Sequence, residues 1–142
     1  MQHVFVYGTL LFPDILKGLT GNTFEDRDAV LYGFKCLALK DADYPAIIAH
    51  AGSSVQGKVL FNVDERSLEI LRFFEGSEYR SICVKVNVDN NRVKASVFVW
   101  IEEHHRLDTA DWNQVVFEKT ALADYISYVV PETVKEFERL HS

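Results

Sequence analysis

The sequence is short of cysteine, of positive charge and of long apolar runs, and each shortage removes a class of protein. Cys36 and Cys83 are the two cysteines in 142 residues. Neither has a His or a second Cys at metal-ligand spacing, so the chain carries no zinc-type motif, and the pair reads as two reduced core thiols. Acidic residues number 21 against 15 Lys and Arg, a formal net charge of −6. A nucleic acid needs a basic face to meet its phosphates, and an anionic membrane favours one too, so neither partner is expected. No apolar run approaches the ~20 residues that cross a bilayer. Met1-Gln2-His3 leads straight into a strand pattern, with no basic segment followed by an apolar one, which predicts a cytoplasmic protein. The G-x-S-x-G pattern is missing, so Ser53-Ser54 beside Gly52 reads as a turn and not as a nucleophile elbow. His104 and His105 adjoin Glu102 and Glu103, but neighbours on a strand point to opposite faces, so no metal site is expected.

What is present is the composition of a folded domain: 48% hydrophobic and 25% charged residues, with ten Phe and six Tyr to fill a core or line a pocket. Val4 to Tyr7 predicts a buried first strand, and Phe12 to Leu19 a short helix with Pro13 in its first turn. Ala29 to Leu39 reads as strand, bent or bulged at Gly33. Asp41 to Pro45 is a turn, and Val55 to Val63 a further strand holding Gly57. Asp64 is placed to cap a helix from Glu65 to about Phe74. Tyr79 to Val88 and Val93 to Ile101 alternate as a hairpin around Asp89 to Arg92. From Leu107 the chain reads as a helical tail with Trp112, Val116 and Phe117 packing inward, and a last helix runs from Pro131 to Leu140. The expected architecture is a single α+β domain over 1–142: a small mixed, mostly antiparallel β-barrel over about 3–101, with flanking helices and a helical tail over about 107–142.

Two local features carry chemistry. In Tyr7-Gly8-Thr9-Leu10 a strand stops at a glycine, and such a turn can offer successive backbone N–H groups to an anion. In Phe73-Phe74-Glu75-Gly76, a carboxylate stands beside two aromatics at a helix end. Desolvation there would raise its pKa toward the range useful for taking and returning a proton. Glu78 is the rival carboxylate, expected to lie exposed in the loop before the next strand.

These pieces, together with Tyr44-Pro45-Ala46-Ile47, Val55-Gln56-Gly57-Lys58-Val59-Leu60 and Tyr79-Arg80, resemble the γ-glutamylcyclotransferase-like (AIG2-like) family over roughly residues 3 to 101. The resemblance implies a barrel with a cavity at one end and Glu75 in the position of the catalytic glutamate. It implies substrate binding by Tyr7, Gly8, Thr9 and Leu10, with Tyr44 and Tyr79 lining the pocket. It also implies a small γ-glutamyl substrate cyclised to 5-oxoproline by intramolecular acyl transfer, with release of an amine and with no cofactor. One departure stands out. The family often has Asp shortly before the glutamate, whereas here Arg72 stands three residues before Glu75, where a pair across one helical turn would lower its pKa. The alternatives are a non-catalytic binding module on the same barrel, a protein-interaction domain using the aromatic tail, and acyl transfer onto another amine.

Overall fold

A computed structural model describes residues 2–141. The elements run β1 (Gln2–Val6), α1 (Pro13–Thr20), β2 (Asp26–Leu39), β3 (Ala46–Val63), α2 (Glu65–Glu75), β4 (Tyr79–Val88), β5 (Asn91–Trp100), β6 (Leu107–Asp111), α3 (Gln114–Thr120), α4 (Leu122–Asp124) and α5 (Val130–Leu140). A 3-10 turn, Gly8–Leu11, follows β1, and a π-helical turn, Tyr125–Val129, joins α4 to α5.

The strands order as β3-β1-β5-β4-β2, and β2 pairs back onto β3, so five strands close into a barrel. The β1–β5 pair is parallel, whereas β1–β3, β2–β3, β2–β4 and β4–β5 are antiparallel. β1 lies between two partners, and its consecutive residues Val4, Phe5 and Val6 are all buried. Phe5 points into the barrel with Leu31, Val59, Val86 and Val97. Val4 and Val6 face the other way, into a second core shared with Ile15, Leu19, Leu68 and Leu71 of the helices. An apolar residue at every position is what burial on both faces requires.

Local chemistry explains most boundaries. The Asp64 carboxylate accepts from the Ser67 N–H at 3.2 Å and starts α2. Gly76, at φ +81°, ends it. The β2–β3 register shifts between Tyr32 and Phe34, at the expected bulge. Gly57 admits a close crossing, since a Cβ there would overlap the Val6 carbonyl oxygen and lie 2.8 Å from Phe5 Cζ.

Five expectations are corrected. Leu107–Asp111 is a sixth strand on β2, pairing Leu37 with Asp111 and Leu39 with Leu107, so the tail is not helical from residue 107. Val116 is 54% exposed and does not pack inward, although Phe117 does. Ser53 and Ser54 lie within β3, which begins at Ala46 because residues 46–49 pair with 34–37 of β2 beyond the bulge. Cys83 is exposed and only Cys36 is partly covered, because Cys83 falls on the outward side of the β4 alternation. His104 and His105 lie in a 3-10 turn with Arg106, not on a strand. No helix among the described residues is long and apolar enough to cross a membrane.

Candidate active site

Glu75 is the last residue of α2, placed there by the Asp64 cap at one end and the Gly76 stop at the other. Helix dipoles point their negative end at the C-terminus, so this position disfavours a carboxylate. Its side chain lines a cavity of about 230 Å³ with Thr9, Tyr44, Phe74, Glu78, Tyr125, Val129 and Thr133. Among the described residues no hydrogen bond or ion pair holds the carboxyl. The residue is half-buried, and desolvation at the cavity wall alone pushes the carboxyl up, from an ordinary 4.5 to about 8. Arg72 does not reach it. That side chain is exposed and lies in a depression with Gln2, His3 and Ser81. The pairing of Arg72 across the helical turn is therefore not made, and among the described residues no positive group offsets the desolvation of Glu75.

Four tyrosines surround the carboxyl. Tyr7, Tyr79 and Tyr125 are held above the ordinary phenol range, chiefly by burial and next by neighbouring negative charge that includes Glu75. The Tyr7 hydroxyl donates to the Phe98 carbonyl at 2.6 Å, and that of Tyr79 to the Pro45 carbonyl at 2.5 Å. Tyr44 donates to Glu78 Oε1 at 2.9 Å, and burial and this bond push its pKa up to about 12.

Glu78 is not the exposed loop residue expected. Its side chain is 28% accessible and sits between the Tyr44 hydroxyl and the Arg106 guanidinium. Arg106 also takes both Asp41 carboxylate oxygens, at 3.1 and 3.2 Å, and lies over the Trp100 ring 4.9 Å from its centroid. This clasp fixes the loop 40–45 that carries Tyr44 and Pro45. Replacing Arg106 by Gln is expected to leave the barrel folded and to raise amide hydrogen exchange in residues 40–45 selectively. Unchanged exchange there would remove the clasp role.

The glycine turn faces the same region. The i→i+3 pattern of Gly8–Leu11 satisfies Leu10 on the Tyr7 carbonyl and leaves the Gly8 and Thr9 N–H groups without a partner inside the turn. Gly8 has φ +62° and lies against the Pro45 ring. Thr9 lines the Glu75 cavity; Tyr7 and Gly8 line an adjoining cleft with Cys36 and Trp112. Burial pushes the Cys36 thiol up to about 12, away from thiolate chemistry. The Leu10 side chain is 2% exposed and belongs to the core, so the sequence-predicted residues that meet around Glu75 are Tyr7, Thr9, Tyr44 and Tyr79. Arg106 and Tyr125 carry no sequence signal, because both reach the site from the tail.

A mixed five-strand barrel with helices against one side and an unpaired carboxyl near a glycine turn defines the class. The chain belongs to the family described as Gamma-glutamyl cyclotransferase, AIG2-like, whose model matches residues 4–114. It is similar to Protein AIG2 C of Arabidopsis thaliana, at 32% identity over 125 residues, covering 83% of this chain and 76% of the relative. AIG2-like protein A of the same plant is 34% identical over 115 residues, covering 80% and 70%. An Arabidopsis thaliana protein solved in solution superposes with a TM-score of 0.69 at 29% identity, covering 89% of this chain and 86% of that one. A solved protein named Gamma-glutamyl cyclotransferase shares the fold, with a TM-score of 0.60 at 19% identity, covering 71% and 67%.

Proposed function

We propose that the protein is an enzyme that cyclises a γ-glutamyl amine or γ-glutamyl amino acid to 5-oxoproline and releases the amine. The observation that carries this reading is the unpaired Glu75 carboxyl, raised to about 8 by burial, in one cavity with Thr9 of the glycine turn. The N–H groups of Gly8 and Thr9 anchor the substrate's α-carboxylate. The α-amine then stands near its own γ-carbonyl, so the reaction needs only a folded near-attack geometry. Ionised Glu75, the form that predominates above about pH 8, takes a proton from the ammonium. The freed nitrogen attacks the γ-carbon, and that proton goes to the leaving nitrogen as the amide bond breaks. The ring nitrogen then gives its second surplus proton to the carboxylate, which passes it to the released amine. A carboxyl near 8 is close to an α-amine's own range, so the proton moves both ways at little cost. Tyr7 and Tyr79, committed to backbone carbonyls, keep the walls rigid.

The test is 5-oxoproline release from γ-glutamyl amino acids, γ-glutamyl-ε-lysine and glutathione. Binding without release across that panel supports the module reading instead.

The Glu75 shift also fixes a pH dependence that needs no substrate. The folded chain keeps this proton to about pH 8 and the unfolded chain loses it near 4.5. Between those values the folded state binds more protons, so stability contributed by this group is greatest below about 4.5 and falls as pH rises toward 8. Urea midpoints measured from pH 5 to 8 are expected to decline in the wild type and to decline less in Glu75→Gln. Parallel slopes would place the carboxyl in solvent.

A further inference from the structure

We propose that Tyr125 contacts the substrate directly through its phenolic hydroxyl, an inference that rests on the reaction proposed above. Three of the four tyrosines around Glu75 have their hydroxyl protons committed to protein: Tyr7 to Phe98 O, Tyr79 to Pro45 O and Tyr44 to Glu78. Tyr125 is the exception. Its residue is 8% exposed and lines the Glu75 cavity, yet among the described residues its hydroxyl has no hydrogen-bond partner. Among the described residues Trp100 Nε1 is the fully buried side-chain polar atom left without a partner, so the unbonded Tyr125 oxygen keeps an open side although its ring is buried. The residue lines the cavity, and a ligand there can take that bond.

The backbone around Tyr125 points the same way. The residue opens the π-helical turn Tyr125–Val129, a type of local widening that is frequent at functional sites. With Val129 and Thr133 it forms the face of the C-terminal helix that walls the cavity. The Thr133 hydroxyl donates to the Val129 carbonyl at 2.7 Å, so of the two hydroxyl side chains this helix turns toward the cavity, Tyr125 is the one without a partner among the described residues. The ring is seated independently, edge-on to Phe117 at 4.9 Å between centroids. The match to the family model ends at residue 114, so this wall lies outside it.

Tyr125→Phe removes the oxygen and keeps the ring. Because no bond within the protein is lost, the melting temperature is expected to hold. Tyr79→Phe, which loses its bond to Pro45, should melt ~3 °C lower. Two readouts follow. The first is kcat/KM for 5-oxoproline release by wild type and Tyr125→Phe. The second is calorimetric Kd of the same γ-glutamyl compounds for Glu75→Gln with and without Tyr125→Phe. A neutral hydrogen bond predicts a ~5- to 10-fold loss in each. Weaker binding with no 5-oxoproline release from the wild type supports the Tyr125 contact and rejects the reaction. Unchanged Kd and kcat/KM with a lowered melting temperature make Tyr125 purely structural and overturn the inference.

Discussion

Replacing Glu75 by Gln is expected to lower kcat for 5-oxoproline release at least ~100-fold, the usual scale for an acid/base group. The amide keeps the shape of the carboxyl but cannot take the ammonium proton. Since the wild-type carboxyl has no hydrogen-bond partner among the described residues, the change breaks none of the bonds seen, and the variant should fold and still bind substrate. Loss of kcat with Kd retained is therefore the expected signature. Glu75→Asp should recover part of the rate, limited by the shorter reach of its carboxyl. Near-wild-type turnover in Glu75→Gln would falsify the proton-shuttle role, and attention would pass to Glu78. That carboxylate is a poor substitute as the structure stands, since Tyr44 and Arg106 occupy it.

Gly8→Ala is expected to damage both fold and activity. At φ +62° a side chain is strained by roughly 1–2 kcal/mol. The new Cβ would also lie 2.8 Å from Pro45 Cδ and overlap Cγ, adding about 1–3 kcal/mol of overpacking. Relief requires Pro45 to move, and Pro45 holds the Tyr79 hydroxyl and follows Tyr44. Displacements of about 1 Å in positioning groups can cost ~100-fold in rate, so kcat/KM should fall by about that much in the fraction that folds. Gly33→Ala is the control. Its φ of +86° carries the same backbone strain, but a Cβ there meets open space and pushes on no neighbour. It should destabilise by roughly 1–2 kcal/mol, without the overpacking, and leave kcat/KM alone. Equal effects from the two glycines would show that Gly8 matters only as a turn residue.

The parts of the fold that were legible are those fixed by near neighbours. Asp64 caps α2 through Ser67, three residues on, and Gly76 ends it, so Glu75 could be placed at a helix terminus before any contact was known. The β4–β5 hairpin shows in its alternation and its Asp89-Asn90 turn. The parts that were hidden depend on distant partners. β6 has the sequence Leu-Asp-Thr-Ala-Asp, with no alternating apolar face; it is a strand because β2 presents free backbone groups beside it. Residues 46–49 pair with β2 beyond the bulge, which no local signal shows, whereas residues 50–53, with Gly52 at φ +84°, bulge out between the partners of Phe34 and Tyr32. Glu78 looked like a solvated loop carboxylate because Arg106, 28 residues away, is what covers it.

By itself the sequence determined the class of fold, the position of the acid at the end of α2 and the glycine turn after β1, since caps, glycines and periodicity act over a few residues. The tertiary structure alone decided whether that acid was buried or solvated, and whether Arg72 or bare protein surrounded it. It alone also brought Tyr125 and Arg106 back from the tail. The physical reason is that a pKa and a free hydroxyl are properties of everything within a few ångströms, and those neighbours come from all along the chain.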